Sequence, residues 1–277
     1  MTQAEIIAVG NEVLSGDVVD TNSNWLARQV TRRGGRVARI TTIPDTVDII
    51  AQAVRDAVAR RADLILVTGG LGPTADDLTL AGIAAGLGRN LTEDAAALGM
   101  VARRYAELAA RGYVQPGLTD ARRKMAVLPQ GSRPLWNSIG GAPGVRVDVE
   151  DATIVALPGV PEEMKAIFLE SLTDLWAERL PLAYAERAGL AQVQDDSLLA
   201  PHHRAVSAAF PNVYIKTRVQ FDRHIGSLQA MEALKLLLGI GAEAPPAVHV
   251  LDRLNLQWRS LRARRTATLG SPPKASP

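Results

Sequence analysis

A chain of 277 residues, 47% of them hydrophobic, can bury a full core as one large domain or two smaller ones. Having no cysteine, it has no disulfides, no thiolate metal ligands and no thiol nucleophile. A formal net charge of +2 is too small to argue for nucleic acid, and no apolar run approaches the roughly 20 residues of a membrane span. Aromatic residues make up only 4%, so the core must be aliphatic. The chain enters Glu5-Ile6-Ile7-Ala8-Val9 almost at once, with no basic segment and long apolar stretch before it. That pattern predicts no signal peptide and, with the lack of cysteine, a cytoplasmic protein.

Glu5–Val9 reads as a short buried strand ending in Gly10-Asn11-Glu12. Asp20 or Thr21 can cap a helix carrying Trp25, Leu26 and Val30, stopped by Gly34-Gly35. Arg36–Thr42, rich in β-branched residues, reads as a second strand, followed by Pro44-Asp45. A helix is predicted from Thr46 to about Arg60 with Ile49, Ile50, Val54 and Val58 on its inner face, then a third strand over Asp63–Val67. Strand, helix, strand, helix, strand is the signature of a right-handed parallel α/β unit. Ligands of such sheets gather at the carboxyl ends of the strands. Gly10–Gly16, Pro44-Asp45 and Gly69–Asp77 are therefore expected along one edge.

Further helices are predicted over Thr92–Arg111 and Thr119–Val127. Ile154–Leu157 reads as another buried strand, ending in Pro158-Gly159-Val160-Pro161. Pro161 suits the first turn of a helix with Met164, Ile167, Phe168 and Leu172. After Trp176 the periodicity weakens; Asp195–Ala209 looks helical and Val213–Val219 looks like a strand, a small α+β region. Gly270–Pro277, rich in Pro and Ser, is expected to be disordered.

The run Thr68-Gly69-Gly70-Leu71-Gly72-Pro73-Thr74-Ala75-Asp76-Asp77-Leu78-Thr79 joins the third strand to an Ala-rich helical segment. Glycines there let backbone N–H groups surround an anion, usually phosphate. Asp76 and Asp77 would repel a bare phosphate, a conflict that a divalent cation between acids and phosphate removes. The alternative is a tight turn whose Asp76 or Asp77 caps the next helix.

Several blocks in this order resemble one family, the CinA-like proteins with a molybdopterin-binding, or molybdenum-cofactor-biosynthesis, domain. They are Ile7–Gly16, Asp20-Thr21-Asn22, the 68–79 loop, Asn137-Ser138-Ile139-Gly140-Gly141-Ala142-Pro143-Gly144, and Leu157-Pro158-Gly159-Val160-Pro161-Glu162-Glu163-Met164. The resemblance implies a three-layer αβα fold on a mostly parallel sheet, with a small α+β region behind it. The corresponding division is 1–172, 173–220 and an atypical tail, 221–277. It also implies a molybdopterin or nucleotide ligand, homo-oligomers, and, in CinA-like members, metal-dependent hydrolysis of ADP-ribose-type pyrophosphates with Mg²⁺ or another divalent cation. Matched position by position, Asp77, Asp45 and Glu12 correspond to the family's acids and are the expected catalytic residues; Asp76 with Asp77, beside the glycine nest, are the expected metal ligands. Thr68, Gly69, Gly70, Leu71, Gly72, Pro73, Thr74, Asn22, Gly141, Ala142, Pro143, Gly144, Pro158 and Gly159 bind the phosphate or the rest of the ligand.

Each of these positions also has a plainer reading. Asp45 follows Pro44 at a common capping place, Glu12 could pair with a surface Arg or Lys, and hydroxyls at strand ends often bond nearby backbone. Pro-Gly turns such as 143–144 and 158–159 are common without any ligand, and Glu163 could face the pocket or solvent. His202-His203 point in different directions on a helix and read as surface or packing residues. Arg259, Arg262, Arg264 and Arg265 read as a solvated face or tail; Trp258 alone makes no stacking platform.

The chain departs from the family pattern twice. Gly141 stands where the family usually has threonine, removing a hydroxyl able to contact phosphate or pterin, a loss on the order of 1 kcal/mol. The segment His224–Gly241, continued by Val248–Asp252 and Leu256–Arg259, instead resembles the end of the ubiquitin-activating-type adenylyltransferases of molybdopterin and thiamine synthesis. It reads as an amphipathic helix followed by a strand pair. Neither the ATP-binding glycines nor the zinc cysteines of those enzymes are present. Two functions remain in view: a metal-dependent pyrophosphatase, and a binding module for molybdopterin or a nucleotide without turnover.

Overall fold

The computed structural model describes residues 1–180 in full, and beyond them the backbone of 183–192, 196–209, 213–221, 228–238, 247–251 and 258–262, with side chains at 197 and 199–209 only. Two compact units divide it, Met1–Tyr184 and Ala185–Pro277.

The first unit is built on a six-stranded sheet. In chain order its elements are β1 (Gln3–Val9), α1 (Asn11–Leu14), α2 (Thr21–Arg32), β2 (Arg36–Ile43), α3 (Val47–Ala59), β3 (Leu64–Thr68) and α4 (Thr79–Leu87). Then come β4 (Leu91–Glu93), α5 (Ala95–Ala110), α6 (Asp120–Lys124), β5 (Val127–Pro129), β6 (Arg133–Leu135), β7 (Gly144–Val149), β8 (Ala152–Leu157), α7 (Pro161–Glu170) and α8 (Thr173–Arg179). The strand order is β2-β1-β3-β8-β7-β6, with parallel pairing from β2 to β8 and antiparallel pairing for β7 and β6.

Side chains of a strand alternate between faces, and the central strands show it plainly. Ile7, Val9, Ile65, Val67 and Ile154 pack on one side with Ile50 and Val54 of α3, Ile83 of α4 and Val101 of α5. Ala4, Ile6, Leu64, Leu66, Val155 and Leu157 pack on the other with Leu26 and Val30 of α2, Phe168 of α7 and Trp176 of α8. Both faces of the parallel strands are thus covered, giving the three-layer α/β architecture.

The Asp20 carboxylate accepts from the Ser23 N–H at 2.8 Å and starts α2; Pro161 opens α7. The structure corrects four details of the sequence reading. Ile49 is exposed, because the buried stripe of α3 runs through Ile50, Ala51, Val54 and Ala57, one position further on. The predicted helix over 92–111 begins as strand β4, and α5 starts only where Asp94 caps the Ala97 N–H. Val127, placed at a helix end, lies in β5, which pairs with β4. Strands β6 and β7 were not anticipated. Val149 and Ala152 pair directly across the turn Glu150-Asp151, where Glu150 has a φ of 47°. This turn sits on the rim opposite the carboxyl ends of the parallel strands.

From the end of the first unit onward, β9 (Ala183–Gln192), β10 (Val213–Phe221) and β11 (Leu228–Leu238) form a sheet in the order β10-β11-β9, with α9 (Ala200–Ala209) between β9 and β10 in the chain. The amphipathic helix expected in the tail is instead β11, paired antiparallel along the whole of β10. A short apolar run does not by itself distinguish a strand from a buried helix, and the available edge of β10 decides. The expected strand pair is β12 (Ala247–Leu251) with β13 (Trp258–Arg262). Gly270–Pro277, Arg264 and Arg265 lie outside the described residues. No helix among the described residues is long and apolar enough to cross a membrane.

Candidate functional site

The carboxyl ends of β2, β1, β3 and β8 bring the loops at 44–45, 10–16, 69–77 and 158–159 to one edge. Because β7 runs against β8, the residues entering it, 140–144, lie on the same edge. The loops are tied across strands by hydrogen bonds: Gly10 N–H to Ile43 O, Asn11 N–H to the Asp45 carboxylate at 2.9 Å, and Gly69 N–H to Leu157 O. The Asn22 amide donates to Thr68 Oγ1 at 3.0 Å and to Gly159 O at 2.8 Å, and its Oδ1 is buried without a partner.

Gly69 and Gly70 have φ of 108° and 64°, and a Cβ on Gly69 would strike the Val9 carbonyl. Only glycine fits this turn. The N–H groups of Gly70, Leu71 and Gly72 find no acceptor among the described residues, as an anion cradle requires. Leu71 itself is buried in the core. An apolar cleft of ≈ 100 Å³ borders the cradle, with Leu80, Leu91, Met125 and Val127 among its lining. It can hold a ring or a phosphate, and a larger ligand would lie along the open edge.

Asp77 does not cap α4. The N-cap is Leu78, with no side-chain bond, and the Asp77 carboxylate turns back to accept the Thr74 N–H at 2.8 Å and its hydroxyl at 2.6 Å. Asp76 meets the same hydroxyl, which holds its carboxyl below the usual range, helped by Lys124. Lys124 donates to Thr74 O and to Asp77 O, a role the sequence did not reveal inside the basic run Arg122-Arg123-Lys124. The Asp45 carboxyl is pushed up by burial and by the charges of Glu12 and Asp76, against the Asn11 N–H that favours ionisation. Glu12 folds over Gly10, where a Cβ would meet it at 2.7 Å. Asp45 therefore feels the charges of acids from two neighbouring loops, while no group of three or more ligating side chains able to hold a metal ion occurs among the described residues.

Thr68 is buried and its hydroxyl donates to Pro158 O, so it ties β3 to the next loop. Ala142, Pro143, Gly144 and Pro158 are buried too, and shape the edge from below; Gly141 is half-buried and Gly159 exposed. Loop 137–144 is fixed by buried residues the sequence left unassigned. Asn137 donates to Ala142 O at 2.8 Å and to Glu163 at 2.7 Å, and its Oδ1 accepts from the N–H groups of Ile139 and Gly140. Arg104 of α5, buried, donates to Ile139 O and Gly140 O. Burial raises the Glu163 carboxyl, against the Asn137 bond and the Arg104 charge. His202 and His203 are half-buried neighbours on α9.

The family described as probable molybdopterin binding domain matches residues 5–177. A protein of Aeropyrum pernix is 44% identical over 219 residues, 79% of each chain. Protein PH0439 of Pyrococcus horikoshii is 43% identical over 199 residues, 72% of this chain and 77% of that one. Among solved structures, the protein CinA of Thermoplasma acidophilum, described as of unknown function, is 37% identical. The match covers 63% of this chain and 99% of that one, with a TM-score of 0.57.

Proposed function

The chain belongs to the CinA-like proteins with a probable molybdopterin binding domain, and on that footing we propose that its loop edge binds a phosphorylated pterin or nucleotide and hydrolyses a pyrophosphate bond in it. The observation that carries this reading is the row of unpaired N–H groups at Gly70, Leu71 and Gly72 beside acids from neighbouring loops. The buried, partnerless Oδ1 of Asn22 suits a ligand that also offers an N–H donor.

A divalent cation fits this acid set in one way only. Mg²⁺ is commonly held by one or two carboxylates plus the substrate's own phosphates, so Asp45 with Glu12 or Asp76 would hold it once a phosphate arrives, and it would polarise the phosphoryl oxygens. The remaining chemistry belongs to the chain. The glycine N–H groups take the phosphate oxygens and stabilise the charge that develops on them. Asp77 and Lys124 hold the acidic turn in place. Water forms the new P–O bond as the bridging P–O bond breaks, and whichever of Glu12 and Asp76 is not engaged with the cation accepts the water's proton.

One observation favours the second reading, a binding module without turnover: Asp77 spends its carboxylate on Thr74. AMP release from ADP-ribose with Mg²⁺ decides between them. Turnover that falls at least about 100-fold in Asp45→Asn supports the enzyme. Saturable binding of ADP-ribose with no AMP formed supports the module, and no binding of ADP-ribose, AMP or pyrophosphate rejects both.

A further inference from the structure

We propose that Tyr105 of α5 is a ligand-contacting, specificity-determining residue of this edge, its phenol standing where a side chain on residue 141 would otherwise stand; this rests on the edge being the ligand site. The backbone at Gly141 is not in the left-handed region, so its conformation admits any residue. Space forbids one. A Cβ there would lie 2.7 Å from Tyr105 Cε2, 2.8 Å from its Oη and 2.9 Å from its Cζ. Those contacts are well inside van der Waals distance, and the ring cannot easily yield. It packs on the core, and the Arg122 guanidinium lies over its face, 4.0 Å from the centroid.

The Tyr105 hydroxyl thus stands 2.8 Å from where a Cβ on residue 141 would be. Tyr105 is only half-buried, and its Oη makes no hydrogen bond among the described residues. A phenol both donates and accepts, so it can serve a phosphate oxygen or a polar ring edge. Arg122 and Lys124 share the short helix α6, so one segment braces the tyrosine at loop 137–144 and the acids of loop 69–77. Glycine at 141 and tyrosine at 105 are one device.

Calorimetric binding of ADP-ribose, AMP and inorganic pyrophosphate, with thermal midpoints, tests this on full-length wild type, Tyr105→Phe, Gly141→Thr, and Gly141→Thr combined with Tyr105→Ala. Tyr105→Phe should weaken the probe that wild type binds by roughly threefold to tenfold with its midpoint unchanged, the share of one neutral hydrogen bond. Gly141→Thr should lower both midpoint and affinity, and the double variant should recover both. Tyr105→Phe binding as wild type does, or a double variant no better than Gly141→Thr, overturns the proposal while leaving the site. Failure of wild type to bind any of the three probes removes the site and this proposal with it.

Discussion

Two loops face the same edge and are held in opposite ways. Loop 69–77 largely holds itself: its acids bond Thr74 three or fewer residues away and Thr79 Oγ1 donates to Gly69 O, while from elsewhere Leu157 O accepts the Gly69 N–H and Lys124 reaches in. Loop 137–144 is clamped from far along the chain by Arg104 and Glu163, with buried Asn137 at its centre. A self-held loop can present free N–H groups and exposed acids to a ligand, because few of its groups are committed to neighbours. A clamped loop is a fixed wall. The pairing suggests a division of work between binding on one side and shape on the other.

The contrast can be broken at its glycines first. Gly69→Ala should be the most damaging change, about 4 kcal/mol or more in urea unfolding, because a left-handed φ and a fixed carbonyl oppose it together. Gly140→Ala meets the flexible Glu163 carboxylate instead, so adding Glu163→Ala should return part of its lost stability. The same addition should do nothing for Gly69→Ala. Next comes Asn137→Ala, expected to cost about 2–3 kcal/mol by stranding two N–H groups and a carbonyl. Should it prove as mild as a surface change, loop 137–144 is not clamped.

Lys124→Met is expected to cost about 1 kcal/mol and to loosen loop 69–77 alone, read as faster amide exchange at residues 74–77 and not at 137–144. The smallest effect concerns pH. Because Glu163 holds its proton more tightly folded than unfolded, its contribution to stability is full below the ordinary carboxylate range and lost as pH rises through the raised value. Glu163→Gln keeps an acceptor for Asn137, so it should be the more stable protein at neutral pH, with the gap closing as pH falls. A gap that widens toward acid would show the carboxylate to be stabilised, not strained, by its surroundings.

Legibility followed the same division. The parallel strands and the glycine turn could be read because their determinants are local: alternating aliphatic residues, caps such as Asp20, and glycines ahead of acids. Residue types that share an edge could also be anticipated, since a parallel sheet sends every carboxyl end the same way. What stayed hidden depends on contacts distant in sequence. Arg104 and Tyr105 look like ordinary surface positions of α5, and nothing near them says that one grips Ile139 O and the other fills the space at Gly141. Strand β7 is the exception: Val145-Arg146-Val147-Asp148-Val149 alternates apolar and polar residues and pairs with β8 across a two-residue turn, a local signal that was available and was missed. Asp77 shows the limit from the other direction: sequence placed it at the head of α4, whereas its carboxylate reaches backward.

The hairpin of β7 and β8 turns at Glu150-Asp151, on the rim remote from every loop discussed above. A foreign peptide spliced between these two residues would project away from the edge proposed to bind the ligand. That turn offers an attachment point for anchoring the protein to a sensor chip or a fluorescent reporter at the far end of the sheet from the proposed site.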